Sequence, residues 1–203
     1  MEEDFALLER WRAGDGASGN ALFSRHFDSV YRFFLHKVDG EVDDLVQRCF
    51  LGCVEARDRF EARSSFKTFL FAIARNELRY FYRRKKRQGV LDFAISSVAE
   101  LNPSPSTIAR HRGQTKLLLT ALSSLPVDLQ LALELHYLEG LSGPALAEVL
   151  EVPEGTVRSR LHRAREQLQK QLEAMGVPSE EAGDVTRWAD TLRRSFGMDG
   201  PSG

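Results

Sequence analysis

The chain has 203 residues, 42% hydrophobic and 28% charged, with a formal net charge of −1; this balance excludes wholesale disorder and fibrous classes and allows one ordinary domain or two small ones. No run approaches the roughly 20 apolar residues of a membrane-spanning helix. The opening Met1-Glu2-Glu3-Asp4 is acidic where a secretory signal is basic, so a cytoplasmic location without membrane insertion is expected.

In chain order, nearly every periodic segment has helical spacing and no alternating run makes a strand, so the fold is expected to be all-α. A first helical block runs from Phe5 to Arg87, broken near Gly14 to Gly19, at Asp39-Gly40 and at Glu61 to Ser65, where helix-ending and turn residues gather. Phe23, Phe27, Val30, Tyr31 and Phe34 form one apolar stripe, and Leu45, Val46, Phe50, Leu51 and Val54 another. Cys49 and Cys53 share a helix face without further ligand residues nearby, which reads as two buried thiols in a reducing compartment, with no metal or cofactor. The block ends in Arg75, Arg79, Arg83, Arg84, Lys85, Lys86 and Arg87, against the single acid Glu77. A near-neutral whole can therefore still carry a local basic surface.

From Gln88 to Pro105 periodicity weakens, and Asn102-Pro103 and Ser104-Pro105 disfavour helix before each proline, marking a flexible linker. A second block starts near Ser106, a good helix cap, and passes through Leu125-Pro126 to a helix over Val127 to Leu138 that stops at Gly140. A short helix after Ser142 reaches Leu150. After Pro153 a long one reaches Met175, held by Val157, Leu161, Ala164, Leu168 and Leu172 on one face. Beyond Gly176 only Val185 to Phe196 is amphipathic. The expected architecture is two small helical domains joined by the linker, the second a helix-turn-helix whose second helix enters the major groove of DNA.

With Val157 pointing inward, Thr156, Ser159, His162 and Arg163 face outward and Arg158 flanks them. Arginine can bond guanine in bidentate fashion, hydroxyls can meet base edges or phosphate, and the free amides at Glu154-Gly155-Thr156 suit a phosphate. A helix-turn-helix alone does not separate repressors, activators and recombinases.

Gly140-Leu141-Ser142 followed by the string Val152-Pro153-Glu154-Gly155-Thr156-Val157-Arg158-Ser159-Arg160-Leu161-His162-Arg163-Ala164-Arg165 closely resembles region 4 of extracytoplasmic-function (ECF) RNA polymerase sigma factors. Asp44-Leu45-Val46-Gln47, Phe50-Leu51, Arg59-Phe60, and Phe66-Lys67-Thr68-Phe69-Leu70 with Ile73-Ala74-Arg75-Asn76 resemble region 2 of the same family. The resemblance implies a non-catalytic specificity subunit that binds core polymerase through its β′ clamp and β flap, reads promoter DNA, and meets an anti-sigma factor. It divides the chain into region 2 over 1–87, a linker over 88–105, region 4 over 106–175 and an extension of unknown role over 176–203. It places Asp44, Leu45, Gln47 and Phe50 on the β′ clamp helices. It assigns Ser65, Asn76, Arg79, Tyr80, Arg83 and Arg84 to the −10 element as single-stranded DNA, with Asn76 and Tyr80 lining a pocket for an extruded base and the arginines following phosphates. It assigns Thr156, Arg158, Ser159, His162 and Arg163 to the −35 element.

Several positions depart from that pattern: Phe69 and Val54 replace common tryptophans, Arg48 an acid, and Tyr80 an Asp or Asn, while Ser142-Gly143-Pro144-Ala145 lacks the acid of a capping box. A one-component helix-turn-helix regulator is the nearest alternative, but its ligand-binding or receiver domain would need an alternating β/α pattern that the chain lacks. Tyr80 or Tyr82 beside arginines raises a tyrosine recombinase or nuclease. The scattered histidines and the absence of a phosphate loop argue against either.

Overall fold

The structure, a computed structural model, describes residues 2–35, 37–38, 40–87 and 113–198. The linker and the start of the second block near Ser106 lie outside the described residues, as do residues 199–203. Within the described residues there are helices and turns and no strand.

The N-terminal lobe consists of α1 (Glu2–Arg12), α2 (Gly16–Leu35), α3 (Val42–Ala56), a short 3₁₀ turn over Arg57–Arg59, and α4 (Phe66–Arg87). The breaks near Gly14, at Gly40 and at Glu61 to Ser65 fall where the sequence places them, but the first is shorter than expected, because Gly16 to Gly19 already belong to α2. Asp15 caps α2 by accepting from the Ala17 and Ser18 amides at 3.0 and 3.4 Å and from the Ser18 hydroxyl at 2.6 Å. Gly19 is required by close approach: a Cβ there would lie 2.6 Å from the Trp11 indole, so α1 and α2 meet through a side chain that only glycine admits. Leu22, Val30, Phe34, Leu45, Val46, Cys49, Cys53, Phe66, Leu70, Phe71 and Ala74 fill the core between α2, α3 and α4.

The C-terminal lobe consists of α5 (Gly113–Ser123), α6 (Val127–Leu133) continuing into a π-helical turn over Glu134–Leu138, α7 (Gly143–Leu150), α8 (Glu154–Ala174), α9 (Ser179–Ala182) and α10 (Val185–Ser195). Ser142 caps α7 by accepting from the Ala145 amide at 3.4 Å, so the cap stands without its acidic partner. Between α7 and α8 the turn passes through Glu151 at φ 52° and ψ 47°, a left-handed conformation that a side chain makes costly and glycine adopts freely. The tail is integrated into this lobe: α10 buries Trp188, Ala189 and Leu192 against α5 and the π-helical turn, with Trp188 edge-on to Tyr137 at 5.5 Å.

The two lobes pack on each other. Leu131, Leu135, Leu141, Leu146, Val149, Leu150 and Val157 join the core of the N-terminal lobe, chiefly where α7 meets α4. Polar contacts frame this seam. Lys37, fully buried, bonds the Phe33 carbonyl at 2.7 Å and the Glu134 carboxylate, whose other oxygen accepts from Gln130 at 2.8 Å. The Tyr82 hydroxyl donates to the Lys37 carbonyl at 2.6 Å. Glu139 pairs with Lys67 at 2.9 Å and Arg32 at 3.5 Å, and Glu151 with Arg75 at 2.6 Å and Arg79 at 3.1 Å.

Candidate nucleic-acid interface

Helix α8 owes its orientation to one apolar stripe, with Val157, Ala164, Leu168 and Leu172 buried. The opposite side carries the expected reading residues: Arg158, Ser159, His162 and Arg163 are exposed and Thr156 is half-buried. Three of them already have partners. Arg158 pairs with Glu154 at 2.9 Å, His162 lies 3.6 Å from Glu166, and the Ser159 hydroxyl donates to the Thr156 carbonyl at 2.9 Å. Of the two expected reading arginines, Arg158 is paired, whereas Arg163 makes no ion pair among the described residues, which makes it the more available to a base edge. Arg160, which belongs to the same basic run, turns inward and pairs with Asp128 of α6 at 3.4 Å, bracing α8 against its neighbour.

Along α4, Asn76 and Tyr80 lie one turn apart and both are exposed, Tyr80 by 48%, as an aromatic platform for an unstacked base requires. Arg83 is also exposed. The remaining expected contacts are engaged within the fold. Ser65 caps α4, accepting from the Thr68 amide at 3.0 Å and sharing a 2.8 Å contact with the Thr68 hydroxyl. Arg84 pairs with Glu41, which Lys85 also meets at 2.7 Å; Lys85 first, then Arg84, hold the Glu41 carboxyl below its ordinary range. Arg79 is held by Glu151.

On α3 the structure rearranges the expected docking face. Asp44 and Gln47 are exposed, and Asp44 pairs with Arg48 at 2.8 Å. Leu45 is only 2% exposed and belongs to the core, so it cannot be the apolar anchor. The residues that share the outer face with Asp44 and Gln47 at helical spacing are Leu51, 55% exposed, and Val54. Phe27 of α2, 45% exposed, extends this patch by stacking on the half-buried Phe50 at 6.3 Å and on Tyr31 at 6.0 Å.

Comparison with known proteins accounts for both lobes. The family model for sigma-70 region 2 matches residues 22–88, and that for sigma-70 region 4 matches residues 115–168. The chain is 30% identical over 182 residues to the ECF RNA polymerase sigma-E factor of Escherichia coli (strain K12), covering 85% of this chain and 95% of that protein. The chain belongs to the ECF sigma factors. The sigma-E factor of Haemophilus influenzae is 29% identical over 85% of the chain and 96% of its own length. Among solved structures, the sigma factor RpoE in complex with the anti-sigma factor NepR from Bartonella quintana aligns at a TM-score of 0.59 with 29% identity, over 76% of this chain and 96% of that one. CnrH in complex with the cytosolic domain of CnrY aligns at 0.61 with 25% identity, over 85% and 98%.

The sigma factor's tail after Gly176 lies beyond the residues matched by the region 4 model. Sequence reasoning missed the exposed patch of Phe27, Leu51 and Val54, although the spacing of Asp44, Gln47, Leu51 and Val54 carries the signal. It also missed Glu151, whose only sign is its place at the turn. No helix among the described residues is long and apolar enough to cross a membrane.

Proposed function

We propose that this sigma factor binds core RNA polymerase and directs promoter-specific initiation in the cytoplasm as a non-catalytic subunit. Residues 1–87 act as region 2, 88–105 as the linker, 106–175 as region 4 and 176–203 as an extension. Region 4 reads the −35 element through Thr156, Arg158, Ser159, His162 and Arg163, with Arg163 as the main base contact. Region 2 reads the −10 strand through Asn76 and Tyr80, with Arg79 and Arg83 on phosphates. Asp44, Gln47 and Phe50, with Leu51 in place of Leu45, dock on the polymerase β′ clamp, and region 4 meets the β flap. An anti-sigma factor is an expected further partner, in line with the complexes named above.

The observation that carries this reading is the exposed hydroxyl and guanidinium face of α8, set on a helix-turn-helix that shares its chain with an exposed Asn76 and Tyr80. The test is in vitro transcription from a promoter library with core polymerase, with and without the chain. Selective initiation that depends on the chain supports it. Tight duplex binding without polymerase, and no effect on initiation, would instead favour a one-component regulator.

A further inference from the structure

The region 4 turn contains an oddity: Glu151 sits in a left-handed conformation where glycine would be at ease, and its carboxylate lies between two guanidinium groups of the −10-reading helix. The local backbone gives no reason for a glutamate there. The two arginines do. Arg75 Nη1 and Arg79 Nη1 converge on the same oxygen, Glu151 Oε2, at 2.6 and 3.1 Å, the arrangement in which paired guanidinium groups hold a phosphate oxygen. The two side chains are one helical turn apart, on the helix that also presents Asn76 and Tyr80.

Promoter geometry bears on the same contact. The −10 and −35 elements are some 25 base pairs apart, which at about 3.4 Å per step is about 85 Å along the duplex. A compact chain of this size has a radius of gyration of about 17 Å and a diameter of about 45 Å. With the lobes packed as they are, the two reading faces cannot reach both elements. The linker over 88–105 spans about 60 Å when extended, at about 3.3–3.6 Å per residue, enough for separated lobes to do so.

We propose that Arg75 and Arg79 form a phosphate site for the −10 strand, and that in this closed, promoter-incompetent arrangement Glu151 occupies it in place of the DNA. This rests on the sigma factor reading above. Opening the seam hands both arginines to the promoter, so region 4 itself withholds part of region 2's DNA affinity. Glu134 on Lys37, and Glu139 on Arg32 and on Lys67 in the first turn of α4, hold the same seam without engaging Arg75 or Arg79. They act as the latch, while Glu151 acts as the occupant.

The test uses the full chain without polymerase, titrated with a fluorescent single-stranded oligonucleotide of mixed sequence. Glu151→Gln should tighten binding about two- to five-fold, the scale on which a half-exposed carboxylate competes for its guanidinium partners at a surface, and Glu151→Gly should do the same while relieving the turn. The gain should vanish in an Arg75→Ala, Arg79→Ala background, as a double-mutant cycle demands. Glu134→Gln with Glu139→Gln should enlarge the radius of gyration in small-angle scattering and also tighten binding. If Glu151→Gln and Glu151→Gly bind no better than wild type, or gain as much without the two arginines, the occupied phosphate site is refuted. Initiation with core polymerase is measured on the same wild-type preparation. Normal initiation with no gain overturns this inference alone, and absent initiation overturns the reading it rests on.

Discussion

Replacing Leu51 and Leu45 one at a time should separate docking from folding. Leu51 is 55% exposed, so somewhat more than half of its surface is left for a partner to cover. Complete burial of a leucine side chain is worth about 1.5–3 kcal/mol, and Leu51→Ala should therefore cost about 1 kcal/mol of core polymerase binding, or about five-fold in Kd. Its effect on folding should be small, because the lost atoms are already largely in water. Leu45, 2% exposed in the α3 core, should behave in the opposite way. Leu45→Ala should cost about 2–5 kcal/mol of stability through lost transfer energy and a residual cavity, a large part of the about 5–15 kcal/mol that holds a domain together. Fluorescence titration of the labelled chain with core polymerase, together with urea unfolding of both variants, reads the two quantities. An unchanged Kd for Leu51→Ala, combined with an unchanged unfolding midpoint and lost docking for Leu45→Ala, would show that the polymerase-facing side of α3 has been misassigned.

Arg163→Ala should relax selection at one −35 base by about 1–3 kcal/mol in a transcribed promoter library; a uniform loss at every promoter would make it a phosphate contact. Burial alone would raise the Asp4 carboxyl, but hydrogen bonds from His26 and Arg25 outweigh it and hold its pKa at about 2 rather than the ordinary 3.8. The folded value is depressed, so the stability it contributes is present above pH 3.8 and is lost as pH falls from there through 2; the stability gap between wild type and Asp4→Asn should close over that window in acid titrations. Burial pushes the Cys53 thiol up to about 12 and raises Cys49 as well, with Cys53 and Glu77 adding to the latter. Neither thiol should react with a thiol reagent at pH 8 until the chain is unfolded in denaturant, and prompt labelling of the native protein would contradict the packing of α3 on α4.

The helices were legible because apolar residues recur at helical spacing and each break carries Gly, Asp, Ser or Pro. The helix-turn-helix from Ser142 to Ala174 could be read almost to the residue, and so could the outward set around Arg163, since one inward residue fixes the whole wheel. Helix α3 resisted because Val42, Leu45, Val46, Phe50, Leu51 and Val54 spread apolar residues over most of its circumference. Only the packing of α2 and α4 against it decides that Leu45 turns in and Leu51 turns out. The seam between the lobes was illegible for a different reason: Lys37 and Glu134 are 97 positions apart, and each looks like an ordinary surface charge until packing brings them together. The same holds for Arg79 and Arg84, whose basic run suggested free phosphate ligands, whereas Glu151 and Glu41 engage them within the fold. The tail's amphipathic stretch could be seen, but the surface that receives Trp188 could not.

The sigma factor has two tryptophans, and the fold places one in each half. Trp11 is buried edge-on to Phe23 at 5.1 Å with the Arg57 guanidinium 5.0 Å from its ring. Trp188 is buried on the other lobe against Tyr137. The molecule thus carries two native fluorophores in separate surroundings. A Trp188→Phe chain would emit only from the N-terminal half and a Trp11→Phe chain only from the C-terminal half. Each half can then be followed through unfolding, or through encounter with polymerase, with no label attached.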